Sequence, residues 1–176
     1  MIASQREQRA FEAFVADASG RLMRTAYLLT GDRGHAEDLV QSALLRTARR
    51  WPRARQQPEA YARRVLVNLA KDRWRTRRRR VVEVAAGAEE PRSIVVPPND
   101  GVLERERLLG AIRGLPAGQR AVLVLRFFDD LSVAETAAAL DCSEGTVKSQ
   151  TARALGRMRS ALDPTTPERT NADADR

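Results

Sequence analysis

Residues 131–159, LSVAETAAALDCSEGTVKSQTARALGRMR, hold two helix starts on either side of a short turn. Ser132 followed three positions later by Glu135 is a capping box, in which the serine hydroxyl accepts from the N–H of residue 135 and the glutamate reaches back to the N–H of residue 132. A short helix to Leu140 follows. Asp141, Cys142 and Ser143 make the turn, with Ser143 as the next N-cap. The spacing of Val147, Thr151, Ala154, Leu155, Met158 and Leu162 then predicts a longer helix to about residue 162. Two helices joined this tightly form the helix-turn-helix pattern. The outer face of the second helix carries Thr146, Ser149, Ala152, Arg153 and Gly156, with Lys148 at the flank. Small side chains let a helix axis approach base edges, and Ser, Thr and Arg can bond bases or phosphates. A helical hairpin is also an ordinary packing unit, so this geometry alone leaves DNA binding open. Cys142 reads as a small buried hydrophobe of the turn.

Working outward, Leu115-Pro116 opens the helix GQRAVLVLRFF, and a further helix precedes it at about 103–113. Before that, residues 81–102, VVEVAAGAEEPRSIVVPPNDGV, interrupt every helical period with Gly87, Pro91, Pro97, Pro98 and Gly101. This is a mildly acidic linker, with a strand pair as the rival reading of its Val and Ile residues. The helical period returns on the N-terminal side. One helix is expected at about 5–29, with Phe11, Phe14, Val15, Leu22, Ala26 and Leu29 near one face. Asp32 caps a second that runs to about Trp51, with a core face of Ala36, Leu39, Val40, Ala43, Leu44 and Thr47. Opposite that face stand Asp38, Gln41, Ser42 and Arg49 around one apolar residue, Leu45. Residues 52–58, PRARQQP, are expected to form a basic loop into a third helix at about 59–80. Its core stripe is Tyr61, Val65, Leu66, Leu69 and Thr76, and its other face carries Arg63, Arg64, Val67, Lys71, Trp74, Arg75 and Arg78. An aromatic ring in a cationic field suits nucleic acid, because the cations neutralise phosphates and the ring stacks on an unpaired base. The bland alternative is a solvated Arg face with Trp74 tucked against a neighbouring helix.

The expected fold is therefore all-α, two small helical domains on a tether: residues 1–82, a linker at 83–102, residues 103–162 with the helix-turn-helix, and a polar tail at 163–176 without fixed structure. The 176-residue chain has 31 Lys+Arg against 23 Asp+Glu, a net +8. Arg dominates because a GC-rich genome writes it at ordinary surface positions, so placement says more than number. Residues 1–80 carry +11, the linker −3, residues 103–162 +2 and the tail −2. That distribution points to a polyanion partner for the first half. No stretch approaches the roughly 18 apolar residues of a membrane span, and the N-terminus has no signal-peptide core, which argues against insertion or secretion. A single cysteine agrees with a reducing, cytoplasmic setting. The only histidine, His35, is a first-turn helix residue, and no phosphate loop or metal-ligand spacing is present. The expectation is no catalytic residue, no metal, no cofactor and no small-molecule substrate.

GDRGHAEDLVQSALLRTARRW (31–51) with EAYARRVLVNLAKDRWRTRRRR (59–80) resembles region 2 of bacterial sigma factors, and 115–159 resembles their region 4. With just these two regions the chain resembles an extracytoplasmic-function sigma factor, the minimal kind, its wording nearest the actinobacterial SigE-like group. The resemblance implies docking of Asp38, Leu39, Gln41, Ser42, Leu45 and Arg49 on the beta-prime coiled coil of core RNA polymerase, with Ser42 replacing the family's usual Glu. It implies minus-ten DNA contacts and melting by Arg53, Arg55, Gln56, Arg64, Asn68, Lys71, Trp74, Arg75 and Arg78, the loop capturing a flipped base. It implies minus-thirty-five readout by Thr146, Lys148, Ser149, Ala152, Arg153 and Arg157, with the second domain resting on the beta flap. An anti-sigma factor as a further partner is left open, as is the idea that the acidic linker and tail shield the basic faces. The rival reading is a stand-alone helix-turn-helix regulator of duplex DNA, which leaves the Asp38 to Arg49 surface unexplained.

Overall fold

In the computed structural model, residues 4–83 and 100–163 are described, apart from the side chains of 77–83 and of 100. The helices are α1 (Gln5–Thr30), α2 (Arg33–Arg49), α3 (Trp51–Ala54), α4 (Pro58–Glu83), α5 (Asp100–Gly114), α6 (Ala117–Phe127), α7 (Val133–Leu140) and α8 (Glu144–Leu162). No strand occurs among the described residues. Helices α4 and α5 each reach into the expected linker, whose centre lies outside the described residues, as do the tail and the shielding attributed to both.

Side-chain caps set the helix starts. Ser4 accepts from the N–H of Glu7, Asp32 from His35 at 2.7 Å, and Ser143 from Thr146 at 3.1 Å. The Ser132/Glu135 box forms in both directions, at 3.1 and 2.8 Å. The expected loop after Trp51 is shorter than the sequence reading. Residues 51–54 make one helical turn, with Pro52 in the first turn where a missing N–H costs nothing. Trp51 is buried there and meets Phe11 edge-on with centroids 5.1 Å apart, Phe14 standing at 6.0 Å. This aromatic cluster fixes where the basic loop begins.

Helices α1, α2 and α4 share a core of Leu22, Leu29, Ala36, Val40, Ala43 and Leu66. Helices α5 to α8 share another around Ile112, Val122, Val124, Leu125, Val147 and Ala154. The two helical groups expected are both present, and they also pack on each other: α1 lies against α5 and α6, and α4 against α6 and α7, so their cores are continuous. Val67, placed by the helical wheel on the cationic outer face of α4, is consequently 0% exposed.

Gly31 sits at this junction. Its φ of +74° closes α1 through an N–H bond to the Tyr27 carbonyl at 2.7 Å, and a Cβ there would stand 2.8 Å from Cδ of Arg113 on α5. Left-handed backbone costs an L side chain about 1–2 kcal/mol. Gly31→Ala is therefore expected to lower the thermal midpoint by roughly 2–8 °C in a scan followed by circular dichroism.

Candidate nucleic-acid interface

Helix α8 presents the expected outer face. Val147, Ala154 and Met158 are buried, while Thr146, Lys148, Ser149, Ala152, Arg153 and Arg157 are exposed. The capping hydroxyl of Ser143 lies 2.9 Å from Oγ1 of Thr146, and Ser149 donates to the Thr146 carbonyl at 3.0 Å. The first turn is thus tied down, and Lys148, Arg153 and Arg157 stand exposed along the helix that follows.

On α2 the structure separates the expected docking residues into two groups. Asp38, Gln41, Ser42, Leu45 and Arg49 are exposed, with Leu45 at 53%, whereas Leu39 points into the core at 6%. A leucine that exposed amid polar neighbours contributes little to holding this fold.

The basic loop and the start of α4 frame a cleft of about 410 Å³. Arg53, Gln56, Gln57 and Arg64 line it, as does Tyr61, and its far side is closed by Leu131 of the α6–α7 corner and by Glu135 and Ala138 of α7. Arg55 is exposed outside it, 3.9 Å from Glu7. Tyr61 belongs to the core stripe in the sequence reading; here it is half-buried and walls the cleft, a position that a wheel drawn for α4 alone cannot show. It supplies the aromatic surface that residues 52–58 lack.

Further along α4, Asn68 and Arg75 are exposed, and the Arg78 side chain lies outside the described residues. Lys71 and Trp74 are partly covered, contrary to the open cationic face expected of them. Lys71 Nζ donates to the Leu140 carbonyl at 2.7 Å, and the Arg120 guanidinium carbon stands 6.0 Å from the Trp74 ring centroid. A second cleft, about 570 Å³, lies between them and the other half, lined by Lys71, Trp74, Arg75, Val122, Cys142 and Thr146.

A chain of charges runs beneath the first cleft. Arg21 bonds Asp17 at 2.6 Å and Glu59 at 3.0 Å, Glu59 takes Arg63 at 2.8 Å, and Arg63 Nε lies 3.1 Å from Oδ2 of Asp129 in the α6–α7 corner. The contact to Oδ2 is an ion pair without hydrogen-bond alignment. Oδ1 of Asp129 accepts the Thr25 hydroxyl of α1 at 2.6 Å. Burial pushes the Asp129 carboxyl above the ordinary range, opposed by the Thr25 bond and by the Arg63 and Arg24 guanidiniums. The bonds from Ser132 hold the Glu135 carboxyl below it. Among the described residues no cluster of three metal-ligating side chains occurs, and no helix is long and apolar enough to cross a membrane.

Residues 14–80 match the family described as Sigma-70 region 2, and residues 105–158 match Sigma-70, region 4. The chain is 38% identical to an RNA polymerase sigma-E factor of Streptomyces antibioticus over 91% of its own length and 88% of the relative's. It is 37% identical to an RNA polymerase sigma-E factor of Streptomyces avermitilis over 87% and 85%. Among solved structures it resembles the sigma factor RpoE in complex with the anti-sigma factor NepR from Bartonella quintana, with a TM-score of 0.71, 26% identity, and coverage of 88% of this chain and 98% of that one.

Proposed function

The chain belongs to the sigma-70 family of RNA polymerase sigma factors, and from that membership we propose a division of labour among its surfaces. It is a sigma factor that directs transcription initiation. The exposed side of α2, Leu45 with Asp38, Gln41, Ser42 and Arg49, docks on the beta-prime coiled coil of core polymerase, and the α5–α8 half rests on the beta flap. Residues 1–82 and 103–162 act as the two functional units. The first cleft takes an extruded minus-ten base, stacked on Tyr61 and held by Arg53, Gln56 and Arg64; Arg55, Asn68, Lys71, Trp74, Arg75 and Arg78 follow the strand. Extrusion costs a few kcal/mol, which stacking at about 1–3 kcal/mol per base can offset together with phosphate contacts. Helix α8 reads the minus-thirty-five duplex through Thr146, Lys148, Ser149, Ala152, Arg153 and Arg157. The protein works in the cytoplasm by positioning alone and makes or breaks no covalent bond. A sigma factor of similar fold is held by an anti-sigma factor, and we extend that class of partner to this chain.

The observation that carries this reading is the coexistence of an exposed, apolar-centred face on α2 with the capped helix-turn-helix of α7 and α8. A duplex-binding regulator has a use for the second and none for the first. Run-off transcription with core polymerase on a fragment library tests it: transcripts that start only when the chain is added support it. A shift of duplex DNA without any transcript would favour the stand-alone regulator.

Ser149 and Arg153 stand one turn apart on the exposed side of α8. Arg153→Ala and Ser149→Ala are each expected to relax preference at one or two minus-thirty-five positions by about 1–3 kcal/mol, roughly 5- to 150-fold, with core binding unchanged. Selection of start sites from a randomised minus-thirty-five library reads this directly.

A further inference from the structure

The second cleft, at about 570 Å³, falls within the roughly 300–1,000 Å³ of small-molecule sites, and its lining differs in kind from that of the first. The first is edged by Glu135 as well as by arginines, whereas no carboxylate lines the second. Its cations come from α4. Lys71 and Arg75 are four residues apart on that helix and so share a face, with Trp74 beside them. Lys71 Nζ donates to the Leu140 carbonyl at 2.7 Å, which holds the ammonium in place; an ammonium has three protons, so donors remain for another acceptor. Arg75 is largely exposed, with the equally exposed Asp72 4.0 Å away. The Trp74 indole is steadied by Arg120, whose guanidinium carbon stands 6.0 Å from the ring centroid and which also bonds the Leu29 carbonyl at 2.9 Å. From α6 the cleft receives only small side chains, Ala117, Gly118 and Ala121, and a Cβ built on Gly118 would meet nothing within 4 Å. The result is a slot with an aromatic wall, an apolar floor of small residues and two cations along one edge.

We propose that this cleft binds a planar aromatic carboxylate of about the size of two fused rings. The rings lie against Trp74 and the small residues of α6, and the carboxylate takes Lys71 and Arg75. Charge decides the sign of the ligand, because the lining holds two cations and no acid. The indole decides its shape: an aliphatic acid meets the same cations but forgoes ring-on-ring packing, and a neutral arene fills the slot but forgoes the charge-assisted bonds. The site is read from the cleft and stands without the sigma assignment. One consequence does rest on that assignment: a ligand here and a minus-ten strand compete for Lys71, Trp74 and Arg75.

Cys142 supplies the readout. It is the only cysteine of the chain, it is half-buried and it lines this cleft, so its rate of labelling by N-ethylmaleimide reports occupancy in the full-length protein. With 2-naphthoate as the probe, half-protection is expected at about 10–300 µM, and a concentration ten times higher should slow labelling about tenfold. 2-Naphthylmethanol, the same rings without the charge, and decanoate, the charge without the rings, are each expected to need about five- to tenfold more. Arg75→Gln should raise the half-protecting concentration of naphthoate about three- to tenfold and leave that of naphthylmethanol unchanged. Gly118→Phe places a ring in the slot from the α6 side and is expected to abolish protection by naphthoate at an unchanged thermal midpoint. Labelling that naphthoate leaves unslowed up to about 1 mM would overturn the proposal, as would equal protection by the neutral analogue or full protection in both variants. If Gly118→Phe proves unstable, the exposed Arg75→Gln still decides. Displacement of a fluorescein-labelled single-stranded oligonucleotide reads the competition separately: protection of Cys142 without displacement upholds the site and removes the strand from these three residues.

Discussion

Replacing Leu45 with Asp is expected to weaken binding to core RNA polymerase by about 30- to 150-fold without shifting the thermal midpoint. The two halves of that expectation come from the same number. At 53% exposure the side chain gives the fold little, so its loss costs the isolated chain little. At the centre of a docked interface its burial contributes about 2–3 kcal/mol, and a carboxylate forced into the same place adds a desolvation penalty. Asp38→Arg is expected to act in the same direction and more strongly on association rate, because Asp38 is exposed on the rim of the same face. Leu39→Ala gives the needed contrast. That residue is 6% exposed and packs inside the α1, α2 and α4 core, so its truncation should cost about 2–5 kcal/mol of stability and reach polymerase affinity only through unfolding. Competition binding to core polymerase alongside thermal scans separates the two behaviours. Unaltered co-purification of both Leu45→Asp and Asp38→Arg would remove α2 as the docking surface.

The contrast between Leu45 and Leu39 also marks how far the residues could be read without a structure. Periodicity separates the two cleanly because α2 has one buried face, and the same holds for α8, where the inward and outward sets fall as the wheel puts them. Caps at Asp32, Ser132 and Ser143 were legible because each is a local bond between residues three apart. Helix α4 defeats the method. It is covered on two sides, by α1 and α2 on one and by α6 and α7 on the other, so Leu66 and Val67 are both buried though adjacent in sequence. A single-face wheel must then assign Val67 and the cations around it to solvent. The contacts that cover them join residues far apart in the chain, Thr25 with Asp129 and Lys71 with Leu140. Each is one polar pair with no periodicity to announce it. Tyr61 escaped notice as a cleft residue for a related reason, since the far wall of that cleft comes from α7 and the corner before it.

Trp74→Ala is the second large effect, and its size depends on which step is measured. On α4 the ring stands beside Lys71 and Arg75 at the cleft between the halves, with Arg120 over its face. If it stacks on a melted base, its loss removes about 1–3 kcal/mol from the open complex, roughly 5- to 150-fold in the extent of strand opening. Permanganate footprinting of thymines around minus ten reads that loss, and Trp74→Phe should recover part of it because a smaller ring keeps the stacking face. Binding to core polymerase and the preference set by Ser149 and Arg153 should be unaffected, since Leu45 with its neighbours on α2 and both of those α8 residues lie outside the cleft that holds the ring. Lys71→Ala divides differently. With the strand contact proposed for it, its loss is expected to lower the slope of log affinity against log salt by about 1, and it also leaves the Leu140 carbonyl without its ammonium. A Trp74→Ala chain that melts promoters as well as the wild type would place strand opening on other residues of α4 and leave the ring a purely intramolecular role.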